Sequence, residues 1–243
     1  MKKKFQNIAV NFVFYFALLA LWEAFGSRLI PAPTKIVATL VKIFPSLGTD
    51  LCYTLLEAFG GLLIGTVFAL LVVTLMDFFG PVRAALSPLV VISQAIPFHI
   101  ISPILIMLLG FGILPKLTVV SLVCFFPLTL TLLTAFDNVD KNLLDVARLF
   151  GASKMQTLRY LKAPLSVSNF FAGLKISAVY CISSAVISEW MSGDVGIGVY
   201  MLRAKRSYDN AKVFAVVLLI TLLSILVYYV LEQLQKKTEK DVL

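Results

Sequence analysis

Six long apolar stretches divide the chain, and within them apolar and polar side chains do not alternate. A helix of about 20 residues rises about 30 Å, which is enough to cross the hydrocarbon core of a membrane. A transmembrane β-strand would show alternation, so the pattern predicts an all-α membrane protein with six transmembrane helices in a single domain, residues 1–243. The predicted spans are Ile8–Phe25, Tyr53–Met76, Leu86–Leu109, Leu117–Phe136, Val167–Trp190 and Val213–Leu231.

One sizeable polar interval, Asp137–Pro164, separates the fourth and fifth stretches. Its capping residues and its glycine predict two short helices joined by a tight turn. The predicted features are a cap at Asp140, a helix over Lys141–Phe150 that ends at Gly151, a capping box over Ser153–Gln156 and the end of the second helix at Pro164. A membrane protein of this size exposes little to water, so we expect this hairpin to be a docking site.

The composition supports a membrane location and does not favour nucleic acid as a partner. Hydrophobic residues make up 60% of the 243 residues and charged residues only 14%, which is more apolar surface than a soluble domain needs. The net charge of +8 is spread over both predicted membrane faces, as contact with anionic lipid headgroups requires. A cytoplasmic amino terminus places Lys2–Lys4, the polar interval and Lys236–Lys240 inside. Fewer basic residues, Lys116 among them, then lie in outer loops.

Three shorter patterns add detail between and within the spans. Residues 34–44 repeat apolar side chains at helical spacing, which predicts an amphipathic helix on the outer membrane surface or a lip that contacts a substrate-delivery protein. Gly61 and Gly65 are spaced for close helix packing, either within the subunit or at a dimer seam. Pro97 and Pro103 each remove a backbone donor, so the third span is predicted to be distorted and to line a polar cavity.

The sequence contains no motif of a common catalytic site. It has no phosphate-binding G-x-x-x-x-G-K-[ST], no H-E-x-x-H and no G-x-S-x-G, and it has a single histidine. The segment Gly193–Gly198 is predicted to be a turn rather than a nucleotide loop. Cys52, Cys124 and Cys181 are scattered without metal-ligand spacing and are predicted to be packing residues. No enzymatic activity and no bound metal are predicted.

Polar residues inside the predicted spans are candidates for a substrate pathway. A charge at the centre of a bilayer costs about 2.5–3.5 kcal/mol on insertion scales, so such residues usually face a cavity or a partner. Alternatives exist, since Glu189 can be interfacial beside Trp190 and Lys175 can extend to the inner surface. His99 can likewise be a packing residue. The candidates are Glu57, Gln94, His99, Lys175, Ser184 and Glu189.

The polar interval resembles the EAA loop of ABC importer permeases, whose motif is E-A-A-x-x-x-G, nine residues and I-x-L-P. Ala147, Gly151 and Pro164 match this spacing without insertion. Asp145 replaces the glutamate of the motif and Ala163 replaces the leucine. In that family the loop is a coupling helix that lies in a groove of a separate ATPase subunit. The resemblance implies this role for Asp145, Ala147, Arg148, Gly151, Ala152, Ser153 and Pro164.

Nearly the whole chain is similar to the nitrate, sulfonate and taurine group of these permeases. Segments that carry the similarity are SQAIP (93–97), GFGILPK (110–116) and GLKIS (173–177). Sulfonate-type members tend to have an arginine where Glu57 stands. In this respect the chain looks more similar to permeases for the thiamine pyrimidine precursor or for riboflavin.

The resemblance implies a type I importer permease in the bacterial cytoplasmic membrane, with both termini in the cytoplasm. It also implies a second permease copy, ATPase subunits that bind ATP and magnesium, and an extracytoplasmic substrate-binding protein, while this chain holds no cofactor. The implied substrate is a thiamine pyrimidine precursor or a related heterocycle, because two outward carboxylates, Glu57 and Glu189, would repel an anion. A sulfonate, taurine or nitrate permease is the alternative.

Two further classes are open on the sequence. A secondary transporter is one, although six spans without a detectable inverted repeat are few for that class. An intramembrane enzyme with Glu57, Glu189 and His99 as acid and base is the other, although the chain has no metal or nucleophile motif.

Overall fold

The computed structural model describes residues 2–93 and 95–242, without the side chains of residues 2–12, 98, 99, 192, 241 and 242. The described residues form helices joined by short connections, and no strand occurs among them. The helices are α1 (Lys2–Ala24), α2 (Pro33–Ile43), α3 (Gly48–Phe78), α4 (Gly80–Ser93), α5 (Phe98–Leu109), α6 (Ile113–Asp137), α7 (Lys141–Leu149), α8 (Lys154–Thr157), α9 (Ala163–Leu165), α10 (Val167–Ser192), α11 (Ile197–Arg206) and α12 (Asn210–Val242). The all-α prediction is confirmed.

Four segments of the described chain are long and apolar enough to cross a membrane. They are Pro33–Phe78, which includes α3, and the segments Ile113–Asp137, Val167–Met191 and Asn210–Lys240 of α6, α10 and α12. Three shorter apolar helices are also present in the described residues. Val13–Ala24 lies in the first predicted span, and Gly80–Ser93 and Ile100–Leu109 lie in the region of the third.

The third predicted span, Leu86–Leu109, is divided between α4 and α5, and this break is the distortion predicted for it. Pro97 explains the interruption. Its ring disfavours helical backbone in the residue before it, and Pro97 itself has extended backbone with ψ 100° before α5 begins. Pro103 lies inside α5 without ending it. The predicted distortion is therefore located at the first of the two prolines.

The centre of the bundle is the contact of α3 and α10 with α6. A Cβ added to Gly61 would lie 2.5 Å from the Val120 side chain, and one added to Gly65 would lie 2.6 Å from the Ser121 carbonyl oxygen. Real Cβ atoms do not approach other heavy atoms so closely, and both positions require glycine. The small-residue motif thus serves helix packing within the subunit. The cysteines Cys124 and Cys181 are buried in the same core, as predicted, whereas Cys52 is exposed.

One end of the bundle carries the polar hairpin, residues 137–164, and we call it the loop end. At the opposite end, the far end, the predicted amphipathic helix α2 begins at Pro33. Ile36 and Ile43 are buried against α11 and α12, while Val41 is 70% exposed. The apolar stripe of α2 is therefore divided between a packed face and an exposed one. Helix α11 was not predicted, because its ten residues carry three basic side chains at their end.

Candidate functional site

The first helix of the polar hairpin forms as its capping residues predict. The Asp140 carboxylate accepts a hydrogen bond from the Asn142 amide at 2.9 Å and begins α7. The helix ends at Leu149, one residue earlier than predicted. Gly151 follows with φ 75°, a left-handed backbone that glycine adopts without strain. Local cap chemistry therefore fixes the turn of the hairpin.

The second helix begins with the predicted capping box. The Ser153 hydroxyl accepts from the Gln156 amide at 3.2 Å, and the Gln156 side chain accepts from the Ser153 amide at 2.8 Å. The predicted helix end at Pro164 is wrong, because a π-helical turn over Leu158–Lys162 continues into α9, Ala163–Leu165. Pro164 occupies the first turn of α9, where a helix does not need the amide that proline lacks.

The tip of the hairpin presents large apolar side chains to solvent. Leu149 is 87% exposed and Phe150 is 88% exposed, and Tyr160 close behind them is 68% exposed. Single exposed hydrophobic residues are ordinary on a protein surface, but two adjacent and almost fully solvated ones on a polar hairpin mark a contact surface. Neither residue belongs to the family motif, so neither was predicted as a coupling residue. The adjacent Leu149-Phe150 pair just before Gly151 was the available signal.

Three of the predicted coupling residues lie beside this tip. Ala147, Gly151 and Ala152 line one cleft of about 340 Å³. Asp145 and Arg148 form an ion pair at 3.0 Å whose side chains are 64% and 76% exposed. Such an exposed pair contributes at most about 1 kcal/mol to stability, so both side chains are available to a partner.

Two lysines of the hairpin contact the last residues of α3. The Lys154 ammonium donates to the Phe78 carbonyl oxygen at 2.9 Å. Lys162 forms an ion pair with Asp77, and the two side chains are only 16% and 11% exposed. Lys162 also lies over the Phe136 ring of α6, 5.8 Å from its centroid. The hairpin is thus fastened to both α3 and α6.

At the far end, the loop of residues 193–198 folds around the Glu189 carboxylate. The Gly198 amide donates to Glu189 Oε2 at 2.6 Å, and the Thr54 hydroxyl donates to Glu189 Oε1 at 2.5 Å. Gly196 has φ 128°, and a side chain there would overlap the carboxyl group. The turn was predicted, but the enclosure of Glu189 was not.

The same loop is bonded to the first turns of α3. The Gly196 amide donates to Asp50 Oδ1 at 2.9 Å. The Ile197 amide donates to Thr54 Oγ1, also at 2.9 Å. These amides belong to the beginning of α11, where donors have no partner within the helix. Side chains of α3 therefore accept from the backbone donors that have no partner within α11.

A buried ion pair lies beside this loop. Lys116 Nζ is 2.7 Å from Glu57 Oε1, and the two side chains are 7% and 1% exposed. The prediction that Lys116 lies in an outer loop is wrong, because Glu57 neutralises it and it packs in the first turn of α6. Thr54, which holds Glu189, and Glu57 lie three residues apart on α3, so the two pairs lie side by side. We call Thr54, Glu57, Lys116 and Glu189 the far-end cluster.

The remaining pathway candidates lie elsewhere in the fold. Lys175 is half-buried in α10 and lies over the Tyr228 ring of α12, 5.3 Å from its centroid. Ser184 is half-buried on α10. Gln94 lies outside the described residues, and so does the side chain of His99. Only Glu57 and Glu189 of the six candidates are brought together in the described part of the chain.

Comparisons with known proteins agree with this architecture. Residues 61–240 match the family described as binding-protein-dependent transport system inner membrane component. A probable ABC transporter permease of Haemophilus influenzae is 30% identical over 223 residues, which cover 89% of this chain and 91% of the relative. The formylaminopyrimidine transport permease ThiX of Halalkalibacterium halodurans is 29% identical over 241 residues, 97% of this chain and 96% of the relative.

Solved structures are similar at the level of the fold. In the MetNI methionine ABC transporter, a chain superposes with a TM-score of 0.69 at 18% identity, over 78% of this chain and 94% of that one. The helical bundle, the hairpin at its loop end and the family match over most of the chain lead to one conclusion. The chain belongs to the binding-protein-dependent transport system inner membrane component family and is a non-catalytic, multi-pass permease subunit of an ABC importer.

Proposed function

We propose that two copies of this chain form the membrane pathway of an importer for a thiamine pyrimidine precursor or a related heterocycle. An ATPase subunit docks on the polar hairpin of each copy and holds the ATP and magnesium, and an external binding protein delivers the solute at the far end. The observation that carries the docking part is the exposed pair Leu149 and Phe150 at the hairpin tip, 87% and 88% accessible.

The proposed ATPase contact centres on this tip. Apolar anchors at the middle of an interface, surrounded by polar groups, supply most of the binding energy in many complexes. Here the anchors are Leu149 and Phe150, and Ala147, Gly151 and Ala152 line the cleft beside Phe150. The residues proposed for coupling are Asp145, Ala147, Arg148, Gly151, Ala152, Ser153 and Pro164.

Retention of the ATPase by the tagged permease tests this contact. Phe150→Ala is expected to weaken retention about tenfold or more, since truncating a central aromatic costs about 2 kcal/mol or more. Leu143→Ala is the matched control, because Leu143 is a partly exposed apolar residue, 43% accessible, near the beginning of α7, whereas Phe150 directly follows the end of that helix. Equal retention by both variants would contradict docking at the tip.

The proposed orientation places the hairpin and both chain termini in the cytoplasm. The basic side chains of the hairpin support it, since cytoplasmic segments of membrane proteins carry an excess of Lys and Arg. With the exposed native Cys52 replaced by serine, a cysteine introduced as Lys154→Cys should react with a membrane-impermeant maleimide only after the cells are opened. Reaction in intact cells would place the hairpin outside and exclude an ATPase partner there.

The proposed substrate rests on two observations. The formylaminopyrimidine permease is similar over nearly the full length of this chain. The far-end cluster contains two carboxylates against one ammonium group, and such a site favours a neutral or cationic heterocycle over an anion. A sulfonate permease is the second candidate, because a putative aliphatic sulfonates permease of Bacillus subtilis is 24% identical over 231 residues.

We assign the pathway to the polar candidates of the spans: Glu57, Gln94, His99, Lys175, Ser184 and Glu189. The break between α4 and α5 supports this, because backbone groups freed at membrane depth need protein or water around them. Glu57 and Glu189 are each 1% exposed, so a solute reaches them only after the far-end loop moves.

Ligand binding to the cognate external protein separates the two substrate classes. Formylaminopyrimidine and riboflavin are expected to bind more tightly than taurine or nitrate. Uptake into vesicles that contain the assembled transporter should follow the same order and should require ATP. Tighter binding of taurine or nitrate would overturn the heterocycle proposal. Uptake that a protonophore abolishes and ATP depletion leaves intact would indicate a secondary transporter instead.

A further inference from the structure

The contact between the polar hairpin and α3 is a specific connection rather than a general packing surface. Phe78 supplies one of the last carbonyl groups of α3, which have no donor within the helix, and the Lys154 ammonium satisfies it. Asp77, one residue earlier, holds Lys162. Positive charge is favourable at a helix carboxyl terminus, so both lysines suit this position. We call Lys154, Lys162, Asp77 and the Phe78 carbonyl the loop-end link.

The π-helical turn over Leu158–Lys162 makes this link possible. Two residues eight positions apart in a regular α-helix lie about 80° apart around the axis. In the hairpin the Ala163 amide donates to the Leu158 carbonyl, five residues back, so this turn advances less angle per residue than an α-helical turn. The smaller rotation over this turn cancels most of the 80° that would separate Lys154 from Lys162 in a regular α-helix. Both side chains therefore face α3 and contact its adjacent residues Asp77 and Phe78. π-helical turns occur frequently at functional sites.

Helix α3 extends from this link to the far end without a proline. Thr54 and Asp77 are 23 residues apart, which corresponds to about 35 Å along a helix. At its beginning, Asp50 and Thr54 accept hydrogen bonds from the loop of residues 193–198, and Thr54 donates to Glu189. One continuous helix thus holds the hairpin at one end and the far-end loop at the other.

We infer that Asp77, Lys154 and Lys162 are the positioning residues that connect the polar hairpin to α3, so that a displacement of the hairpin moves the far-end loop. The inference rests on the proposed docking of an ATPase on the hairpin. Substitution of Asp77, Lys154 or Lys162 should change how strongly the hairpin and the far-end loop are coupled. It should leave the binding of the ATPase unchanged, because that binding is proposed to depend on Leu149 and Phe150.

Cys52 is a natural reporter of this movement. It is exposed, and it lies on α3 between Asp50 and Thr54. Cys124 and Cys181 are buried, so a maleimide reagent reports mainly on Cys52. The experiment measures the labelling rate of Cys52 in the assembled permease–ATPase complex in lipid nanodiscs, without nucleotide and with a non-hydrolysable ATP analogue. The ratio of the two rates is the readout of coupling.

In the wild-type complex this ratio is expected to differ clearly from one. Asp77→Asn is expected to bring the ratio towards one by a factor of about 2 to 30, the range for substitutions that modulate coupling between sites. The amount of bound ATPase should stay unchanged. The charge exchange Asp77→Lys with Lys162→Asp rebuilds the ion pair with reversed polarity and should restore the wild-type ratio, whereas an effect of either side chain that does not depend on this pair would show no such rescue. Lys154→Met, at an exposed position, should give a smaller reduction and serves if Asp77→Asn does not fold.

Glu232→Gln is the matched control. Glu232 pairs with Lys236 within α12, so its removal changes an acidic side chain of an ion pair without touching the link. The inference would be overturned if Asp77→Asn and Lys154→Met bind the ATPase and show the same ratio of labelling rates as Glu232→Gln. The proposed docking of the ATPase would then still stand. A wild-type ratio of one with the ATPase bound would also overturn the inference. Failure of the wild-type permease to bind the ATPase would overturn the proposed docking and the inference with it.

Discussion

The ion pair of Lys116 and Glu57 gives the most quantitative prediction for this fold. Lys116 Nζ lies 2.7 Å from Glu57 Oε1, and the side chains are 7% and 1% exposed. The second carboxylate oxygen, Glu57 Oε2, is buried without a hydrogen-bond donor in the described part of the chain. The substitution Lys116→Met removes the ammonium group, keeps most of the apolar stem and leaves the carboxylate enclosed.

The expected loss follows from this geometry. At 2.7 Å and an effective dielectric constant of about 20, the attraction is about 6 kcal/mol, which offsets the cost of burying both charges. Removal of one partner from a buried pair lowers the free energy of unfolding by about 3–5 kcal/mol, because the other charge stays buried without compensation. The double variant Lys116→Met with Glu57→Gln should be within about 1 kcal/mol of the wild type, since replacement of both charges is often neutral.

Unfolding of the purified permease in mixed micelles with increasing dodecyl sulfate measures these differences. Trp22 and Trp190 are the two fluorescent tryptophans, and Trp190 follows Glu189 directly. Lys236→Met is the control, because its pair with Glu232 is exposed and such pairs contribute at most about 1 kcal/mol. If the effects of Lys116→Met and Glu57→Gln simply add, with a coupling energy below about 1 kcal/mol, the ion pair does not stabilise the far-end cluster as argued.

Two glycine substitutions test the two ends of the bundle. Gly196→Ala forces a side chain onto the Glu189 carboxyl group at φ 128°, and strain and overlap should each cost about 1–3 kcal/mol of unfolding free energy. Gly48→Ala, where a Cβ meets no atom within 4 Å, should be close to neutral, and equal melting temperatures would refute the enclosure of Glu189. Gly151→Val places a β-branched residue at φ 75° in open space, so the chain should fold with a strain of about 1–2 kcal/mol while the hairpin turn distorts. Uptake per ATP hydrolysed should fall, and unchanged transport would count against a coupling role for the turn.

The polar hairpin could be predicted from the sequence because its signals are local. Asp140 caps a helix through an amide two residues away, and Ser153 and Gln156 bond across three residues. Gly151 needs only its own backbone angle to end the turn. Such chemistry acts within one helical turn, so the order of residues contains it. At Pro164 the local signal predicted a helix end, but the helical backbone continues from the π-helical turn through Leu165.

The far-end cluster could not be predicted, because its contacts join distant parts of the chain. Lys116 and Glu57 are 59 positions apart, and Thr54 and Glu189 are 135 apart. A count of loop charges assigned Lys116 to the outer surface, since it treats every lysine as solvated. Apolar spacing likewise gave no signal for the loop that encloses Glu189, because backbone amides make that contact together with Thr54.

The contacts of α3 limit how the bundle can change shape. Gly61 and Gly65 place α3 so close to α6 that a slide along the contact would push backbone against side chain. Lys116 of α6 pairs with Glu57 of α3 at the far end, and Lys162 touches both helices at the loop end. Helices α3 and α6 therefore move as one unit. The hydrogen bonds from residues 193–198 to Asp50 and Thr54 join the far-end loop to this unit. Conformations of the transporter should accordingly differ at that loop, because packed interfaces switch between discrete arrangements instead of deforming continuously.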